Sequence, residues 1–561
     1  MKNRSKLFEI TERIADNRWF PSVYLPIAFF FVLIYSYTTS PLFVDEGMDS
    51  CVFKTMGLAI LQGKTPYVDL FDHKGPVLYF INAFGQFLIP GRTGIFCLQI
   101  VWMFCILLLL DKVAKLFLRS DLSFLVVLMS LLALSGIYQE GNQCEEWELL
   151  PVVMGLYLAL RFILKPHSHS LVRYSFIWGL CFGFIFFIRP NDAVSQVGGV
   201  MGGIILFLMK EKDVGAIFKS VSAFATSVLI VSIPILLFFS SKNAVPDLIY
   251  GMIYHNALYS EGIKQMIVSS FSPSKLCFFS LFVPIGCMAA NSGYRNILYI
   301  LSPLFILSLL LTGNNLFYHY FIVLIPALLL LFWSFLLKQN SLTVVVMSLS
   351  MLYLCSYGSQ INFIRRAREE TMFRLKNIKR GDTAIRNFYN ETEKLINLIP
   401  LAERNSVWNY NLMWKDLPEF SILYHNGIVQ CNLVPFYPMC IVDNNLRDLD
   451  DICKHKPKWI IVSHSYDSLY DFSSGYDYIK HNYSLAGECD YWMCKIELYH
   501  TTTAITYNYD CSQERGMWMH HTSSGDNGYG KLSCFSVLEY PKRGTFTGHV
   551  NIALREGLKI K

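Results

Sequence analysis

Strongly apolar windows recur along the chain up to about residue 357 and then stop. "YLPIAFFFVLIYSY", "IFCLQIVWMFCILLLL", "FLVVLMSLLALSGIY" and "FIVLIPALLLLFWSFLL" are each close to the roughly 20 residues that cross a bilayer. Taken with weaker runs, they predict eleven crossings, near 20–40, 94–116, 121–138, 149–165, 174–188, 193–209, 220–240, 276–290, 296–312, 320–337 and 341–357. The run 76–89, "PVLYFINAFGQFLI", is shorter and is closed by Pro90 and Gly91, which suits an interfacial or re-entrant helix better than a full span. The expected fold class is therefore mainly α: a polytopic transmembrane helix bundle over 1–357, with a large first loop at 41–93. After it, "NSVWNYN", "KWIIVSHS" and "YWMCKIELY" read as strands and "DLPEFSILYHN" as a helix, which predicts a small α/β domain over 358–500. Residues 501–561 form a tail without a clear period.

The loop 41–93 predicts two helices. Met48, Cys51, Val52, Met56, Ala59 and Ile60 recur at helical spacing, with Gly63 placed to end the element. This reads as an amphipathic helix on the membrane surface, with Asp45 and Glu46 at its N-terminus. A second helix starts at Pro76, a favoured first helical position, directly after His73 and Lys74.

Composition agrees with a membrane protein: 53% of the 561 residues are hydrophobic and 16% charged, against about 25% charged in soluble domains. The net charge of +6 does not point to nucleic acid, because the basic residues are scattered. They act instead as topology signals. Five Lys/Arg precede the first apolar run, which lacks a small-residue cleavage site; the eleven-span arrangement puts 16 Lys/Arg inside and eight outside up to residue 357. That bias favours a cytoplasmic N-terminus and an extracytoplasmic C-terminal domain in a multi-pass inner (plasma) membrane protein.

Several polar sites then fall on the outer side. Asp45 suits a helix N-cap, although a capping carboxylate keeps lone pairs for a substrate. Neighbours on a helix diverge by about 100°, so Asp45 and Glu46 do not share one task. Lys74 before a helix N-terminus makes a phosphate site at a membrane surface, or else a lysine reaching for lipid head groups. "YQEGNQCEEWELLP" packs Glu140, Glu145, Glu146 and Glu148 into nine positions, where they repel unless they meet water, a cation or a polar ligand. "FFIRPND" brings Arg189, "GNNLFYHYF" brings His319, and "DLIYGMIYHNALYSEG" brings His255, Asn256, Tyr259 and Glu261. Carboxylates and cations converging on one side of an apolar bundle suit a ligand with an anionic group and hydroxyls, such as a lipid-linked phosphosugar.

"DEG", "GKTPYVDLFDHKGPVLYFI", "GNQCEEWELLP", "FFIRPND" and "HYFIVLIPALLLL", in that order over residues 1–360, resemble the GT-C membrane glycosyltransferases. The likeness is to glycosyltransferase family 39-type enzymes, the bacterial relatives of protein O-mannosyltransferases and lipid A aminoarabinose transferases. The resemblance implies transfer of a sugar from a polyprenyl-phosphate carrier to an acceptor hydroxyl of a lipid, glycan or protein, in cell-envelope glycan synthesis. It gives Asp45, with Glu46 beside it, the catalytic position. Lys74, His73, Arg189 and His319 would contact the donor phosphate, and Glu145 and Glu146 would line the acceptor side. A carboxylate that takes the acceptor proton is a general base, the departing phosphate needs cations, and one in-line displacement inverts the anomeric centre.

A phosphate-binding glycine loop and a dinucleotide fingerprint are absent from the sequence. "DLDD" at 448–451 reads as the polar start of a helix, and the metal content is left open, a divalent cation included. Seven of the fifteen cysteines lie in the expected outer domain, without readable pairing. The competing function is a transporter or flippase of lipid-linked sugars, which would need ionisable groups near the bilayer midplane, where the predicted spans hold almost none.

Overall fold

The computed structural model describes residues 20–118, 120–166, 171–256, 295–311, 318–323, 363–380, 383–411, 418–431, 452, 456–465, 473–491 and 494–501. The chain divides into two compact units: Met1–Val68 with His73–Arg386, and Asp69–Asp72 with Asn387–Lys561.

The first unit is helical. Its elements are α1 (Tyr24–Tyr35), α2 (Asp49–Leu61), α3 (Pro76–Leu88), α4 (Arg92–Ala114), α5 (Ser120–Ser135), α6 (Cys144–Leu164) and α7 (Leu171–Phe186). They are followed by α8 (Pro190–Lys210) and α9 (Val214–Ser241), then α10 (Leu298–Leu311) and α11 (Phe363–Arg380). Four of these, α4, α6, α8 and α9, are long and apolar enough to cross a membrane, and α1, α3, α5, α7 and α10 contain shorter apolar helices. The predicted crossings between 20 and 240, and the one near 296–312, thus fall on helices. Those at 276–290 and 341–357, and nearly all of 320–337, lie outside the described residues.

The first crossing is shorter than 20–40. After Tyr35 the polar run Ser36, Thr38, Thr39 and Ser40 is fully buried. Its side chains bond to one another and to Gln99 of α4, with Ser36 Oγ 2.8 Å from Thr39 Oγ1 and Gln99 Nε2 donating to Ser36 Oγ at 2.9 Å. Buried hydroxyls need such partners, and satisfying them takes the chain out of the helix. The core of the bundle runs through Ile106, Leu107, Val127, Leu134, Ala159, Trp178, Ile185 and Ile204. Helices α7 and α9 approach closely where Gly179 and Gly183 face Phe224, Ser227 and Val231, the small-residue packing on which apolar helices rely in lipid. Away from that seam α9 exposes Phe218, Leu229, Ile230, Ile233 and Leu237.

Two expectations for the first loop change. Helix α2 begins at Asp49 and not at Asp45, and it is not a half-exposed surface helix, since the run Ser50–Gly57 is buried throughout. It packs on α3, so both its faces are covered. Helix α3 does start at Pro76 with Gly75 as N-cap. It buries Leu78, Tyr79, Asn82 and Gln86 and exposes Phe84, Phe87 and Leu88, the two-faced pattern of an interfacial helix.

The second unit holds α12 (Thr383–Ile396, whose first turn belongs to the first unit), α13 (Pro418–His425), α14 (Ser473–Asn482) and a four-stranded sheet. The strands are β1 (Val407–Asn411), β2 (Trp459–Ser465), β3 (Ser484–Tyr491) and β4 (Cys494–His500), in the order β1-β2-β4-β3. β1 and β2 are parallel, while β2/β4 and β3/β4 are antiparallel. Trp408, Tyr410, Ile460, Val462, Tyr478, Ile479 and Tyr499 fill its core. The expected strands and helix are present, and β3 is an addition. The predicted boundary at 358 moves, because α11 belongs to the helical unit. The "DLDD" segment, Tyr259, Glu261 and the tail beyond Thr501 lie outside the described residues.

Candidate functional site: two linked polar clusters

The first cluster surrounds Asp45. Its Oδ1 accepts from Gly47 N at 2.9 Å, closing a turn of the kind Asp side chains favour. Gly47 occupies φ +66°, and a Cβ there would lie 1.9 Å from Glu140 Oε2, so the position needs glycine on two counts. Asp45 therefore shapes the turn before α2 and does not cap the helix itself. The cap is Glu140, from the second loop, which accepts from Met48 N at 2.9 Å and Asp49 N at 3.3 Å and is steadied by Gln143 Nε2 at 2.8 Å. Burial, and then the nearby Asp49 carboxylate, push the Glu140 carboxyl up to about 8.

Glu46 has a different role from its neighbour. It is buried and ion-paired with Lys54, whose ammonium also donates to Thr38 O at 2.9 Å and Glu46 O at 3.0 Å. Arg92 Nη1 lies 4.0 Å from Glu46 Oε1 and donates to Asp45 O at 3.3 Å. Glu46, expected beside Asp45 as a catalytic group, is brought by the fold against Lys54, eight positions further along.

The second cluster surrounds Lys74. The segment before α3 docks on the end of α7, with Gly75 N donating to Ile188 O at 2.8 Å and Val77 N to Phe187 O at 3.0 Å. A Cβ at Gly75 would sit 2.1 Å from Phe187 O, so only glycine permits this approach. The helix start was expected to offer its N–H groups to a phosphate. The N–H groups of Gly75 and Val77 are instead taken by the Ile188 and Phe187 carbonyls just past α7, and Pro76 has none. Lys74 is held by its own carbonyl, which accepts from Tyr67 Oη at 2.6 Å and Tyr79 Oη at 2.9 Å. Its ammonium donates to His73 Nε2. His73 O accepts from Asn256 Nδ2 at 2.7 Å, and the rings of His73 and His255 stand 5.9 Å apart. Burial, then Lys74, His255 and Arg189, hold His73 well below the usual histidine range, so it accepts from Lys74 as a neutral base. Burial and then Lys74 push His255 down to about 4.

Arg189, the N-cap of α8, completes this cluster. It is ion-paired with Glu145 and lies 3.3 Å from Asp192 Oδ2, and its guanidinium stands 4.7 Å from the Tyr320 ring centroid. His319 Nε2 is 3.9 Å from Glu145 Oε1, and its Nδ1 donates to Gln139 Oε1 at 2.6 Å. Burial, then Arg189 and Lys74, push His319 down to about 3. The cluster's cations are thus Lys74 and Arg189, while its histidines are neutral hydrogen-bonding groups.

Glu145 and Glu146 were expected to line one surface together. They are separated, because adjacent helical residues point about 100° apart. Glu145 turns to Arg189 and His319, among the expected phosphate contacts. Glu146 turns inward, where Gln99 Nε2 donates to both its oxygens at 2.8 and 2.9 Å and Asn142 N donates at 2.7 Å. It anchors the second loop and does not reach the cluster.

Residues 139 and 140 join the two clusters: Gln139 holds His319 while Glu140 holds α2. Arg374 of α11 clamps this link, donating to Gln139 O and, at 2.9 Å, to Tyr35 O. Among the described residues, no group of three or more His, Cys, Asp or Glu is arranged to hold a metal ion.

No protein-family model matches the chain, and no curated protein matches it. Among solved structures, it is similar to the crystal structure of ArnT, a lipid A aminoarabinose transferase, from Cupriavidus metallidurans bound to undecaprenyl phosphate. The TM-score is 0.53 at 9% identity, over 87% of this chain and 99% of that one. The apo form of the same protein gives 0.51 at 10% identity, over 85% and 97%. The chain has the GT-C fold. The alignment runs through nearly all of that GT-C chain, so this protein is comparable in extent as well as in topology. Lys54, Gln139 and Arg374 carry no local sequence signal of a role at these clusters, whereas Asp192 is an acidic residue three positions after Arg189 in "FFIRPND".

Proposed function

We propose that the protein is a membrane glycosyltransferase that moves a sugar from a polyprenyl-phosphate carrier to an acceptor hydroxyl on the extracytoplasmic face, with inversion. The observation that carries this reading is the convergence of Lys74 and Arg189, from two separate segments, in a fold shared with a protein crystallised with undecaprenyl phosphate. In the reading, those two cations take the charge of the departing phosphate. Neutral His73 orients the Lys74 ammonium, and Glu145 holds Arg189 in place. Asp45 accepts the proton of the acceptor hydroxyl as the new C–O bond forms. Its aim is set by the Gly47 turn and by Arg92, whose guanidinium binds the Asp45 and Phe43 carbonyls. Glu46 contributes by position alone, through Lys54.

The test is reconstitution in vesicles with a polyprenyl-phosphate sugar and a hydroxyl acceptor. Release of polyprenyl phosphate is expected, and Asp45→Asn should abolish it while leaving the thermal unfolding midpoint near wild type. Movement of the intact lipid-linked sugar across the bilayer without bond breaking would replace this reading with a flippase. Full turnover by Asp45→Asn would remove Asp45 from the mechanism.

A further inference from the structure

Glu148 is an acidic side chain with no use in the account so far. It is fully buried, and both its carboxylate oxygens lack a hydrogen-bond donor among the described residues. Three positions after Glu145, it lies on the same face of α6, turned to the second cluster. The groups acting on it are the Asp192 carboxyl, close enough for the two carboxyls to share one proton, and the Lys74 ammonium. Asp192 has donors of its own, with Arg189 Nη1 at 3.3 Å from Oδ2 and Asn191 Nδ2 donating to Oδ1 at 3.3 Å. Glu148 has none.

A buried carboxylate without donors is costly, and placing a second carboxylate beside it adds acceptors where donors are needed. A donor-poor pair of carboxyls next to the cations Lys74 and Arg189 has a natural complement. In a glycosyl phosphate the sugar ring is one bond from the phosphate, and its hydroxyls are the donors the pair lacks.

We propose that Glu148, with Asp192 beside it, binds the sugar ring of the donor by accepting hydrogen bonds from its hydroxyl groups while Lys74 and Arg189 hold the phosphate. The inference rests on the donor class proposed above, and it assigns Glu148 to sugar recognition and not to proton transfer.

The experiment uses the purified full chain in detergent and measures binding of bare polyprenyl phosphate and of the same carrier bearing a hexose, an N-acetylhexosamine or a pentose. Wild type should bind the best of the three glycosylated probes about tenfold or more tighter than the bare carrier, the increment of one or two hydrogen bonds to a charged group. Glu148→Leu should lose that increment while binding bare carrier within about twofold of wild type, and Glu148→Gln should keep part of it. If the Leu variant does not fold, Glu148→Gln and Glu148→Ala carry the comparison. Equal losses for bare and glycosylated carrier, or an increment that survives Glu148→Leu, would overturn the proposal. A wild type that binds no form of the carrier would instead sink the donor reading beneath it.

Discussion

Removing Lys54 is the sharpest way to separate structure from chemistry in the first loop. Lys54 has no solvent exposure and Glu46 is 3% exposed, so neither charge has water to fall back on, and Arg92, 4.0 Å from Glu46, compensates that carboxylate only in part. The ammonium makes three hydrogen bonds, one of them to the Glu46 carboxylate. Breaking a buried pair by removing one partner costs about 3–5 kcal/mol, because the remaining charge is left uncompensated, whereas replacing both by apolar groups is often close to neutral. Lys54→Met should therefore lower the unfolding midpoint by on the order of 5–10 °C, and Lys54→Met combined with Glu46→Leu should recover most of that loss. The assay is thermal unfolding in detergent micelles followed by tryptophan fluorescence, with turnover measured on the same preparations. Two results would refute the reasoning. One is a Lys54→Met protein within about 1 kcal/mol of wild type, against the cost expected for an unpaired buried charge. The other is a Glu46→Gln protein of unchanged stability that has lost turnover, which would return Glu46 to the chemistry.

Gly75→Ala should collapse activity, since the added Cβ meets the Phe187 carbonyl; a raised KM for the donor checks that Lys74 has been displaced, and unchanged kinetics would dismiss the docking. Glu140→Ala should lower stability by about 1 kcal/mol, the usual value of a helix cap, whereas Glu140→Gln keeps an acceptor and should lose less; equal losses would point to charge and not to capping. His255 and His319 are held neutral by burial with values near 4 and 3, below the usual 6.5 or so. Their contribution is present above about pH 6.5 and lost as pH falls toward those values, because the unfolded chain takes up the protons first. The slope is roughly 1.4 kcal/mol per pH unit for each histidine. Glu140 acts in the opposite sense down to about pH 4.5, because its carboxyl, raised to about 8, takes up a proton in the folded state first. The readout is therefore the difference between variants: the stability of His319→Asn relative to wild type should rise by about 1.4 kcal/mol per unit as pH falls from about 6.5 to 4, and a difference independent of pH would refute it.

Short-range signals in the sequence were readable. Pro76 marks the start of α3 and Gly63 the end of α2 because each fixes backbone geometry at its own position, with Gly63 at φ +83°. β1, β2 and β4 are rich in Trp, Tyr, Val and Ile and were legible from composition. β3, "SLAGECDY", is an edge strand with Gly487 in its middle and a register shift between Leu485 and Gly487; with few strand-forming residues it depends on pairing with β4. The capping of α2 was not legible, because its acceptor comes from residue 140, nearly a hundred positions away. Adjacency likewise suggested that Glu145 and Glu146 act together, while helical geometry sends one to Arg189 and the other to Gln99. Glu46 looked like a second catalytic carboxylate because nothing local announces Lys54 as its partner in a buried pair.

The clamp made by Arg374 bears on how short a working version of the helical unit can be. A cut just after the last predicted span, near residue 357, would keep every residue assigned to sugar transfer. It would also remove the guanidinium that ties the Gln139 and Tyr35 carbonyls together. Freed from that tie, residues 139 and 140 would let go of His319 on one side and of α2 on the other, and both clusters would loosen at once. A shortened version therefore has to extend past Arg374 and keep α11.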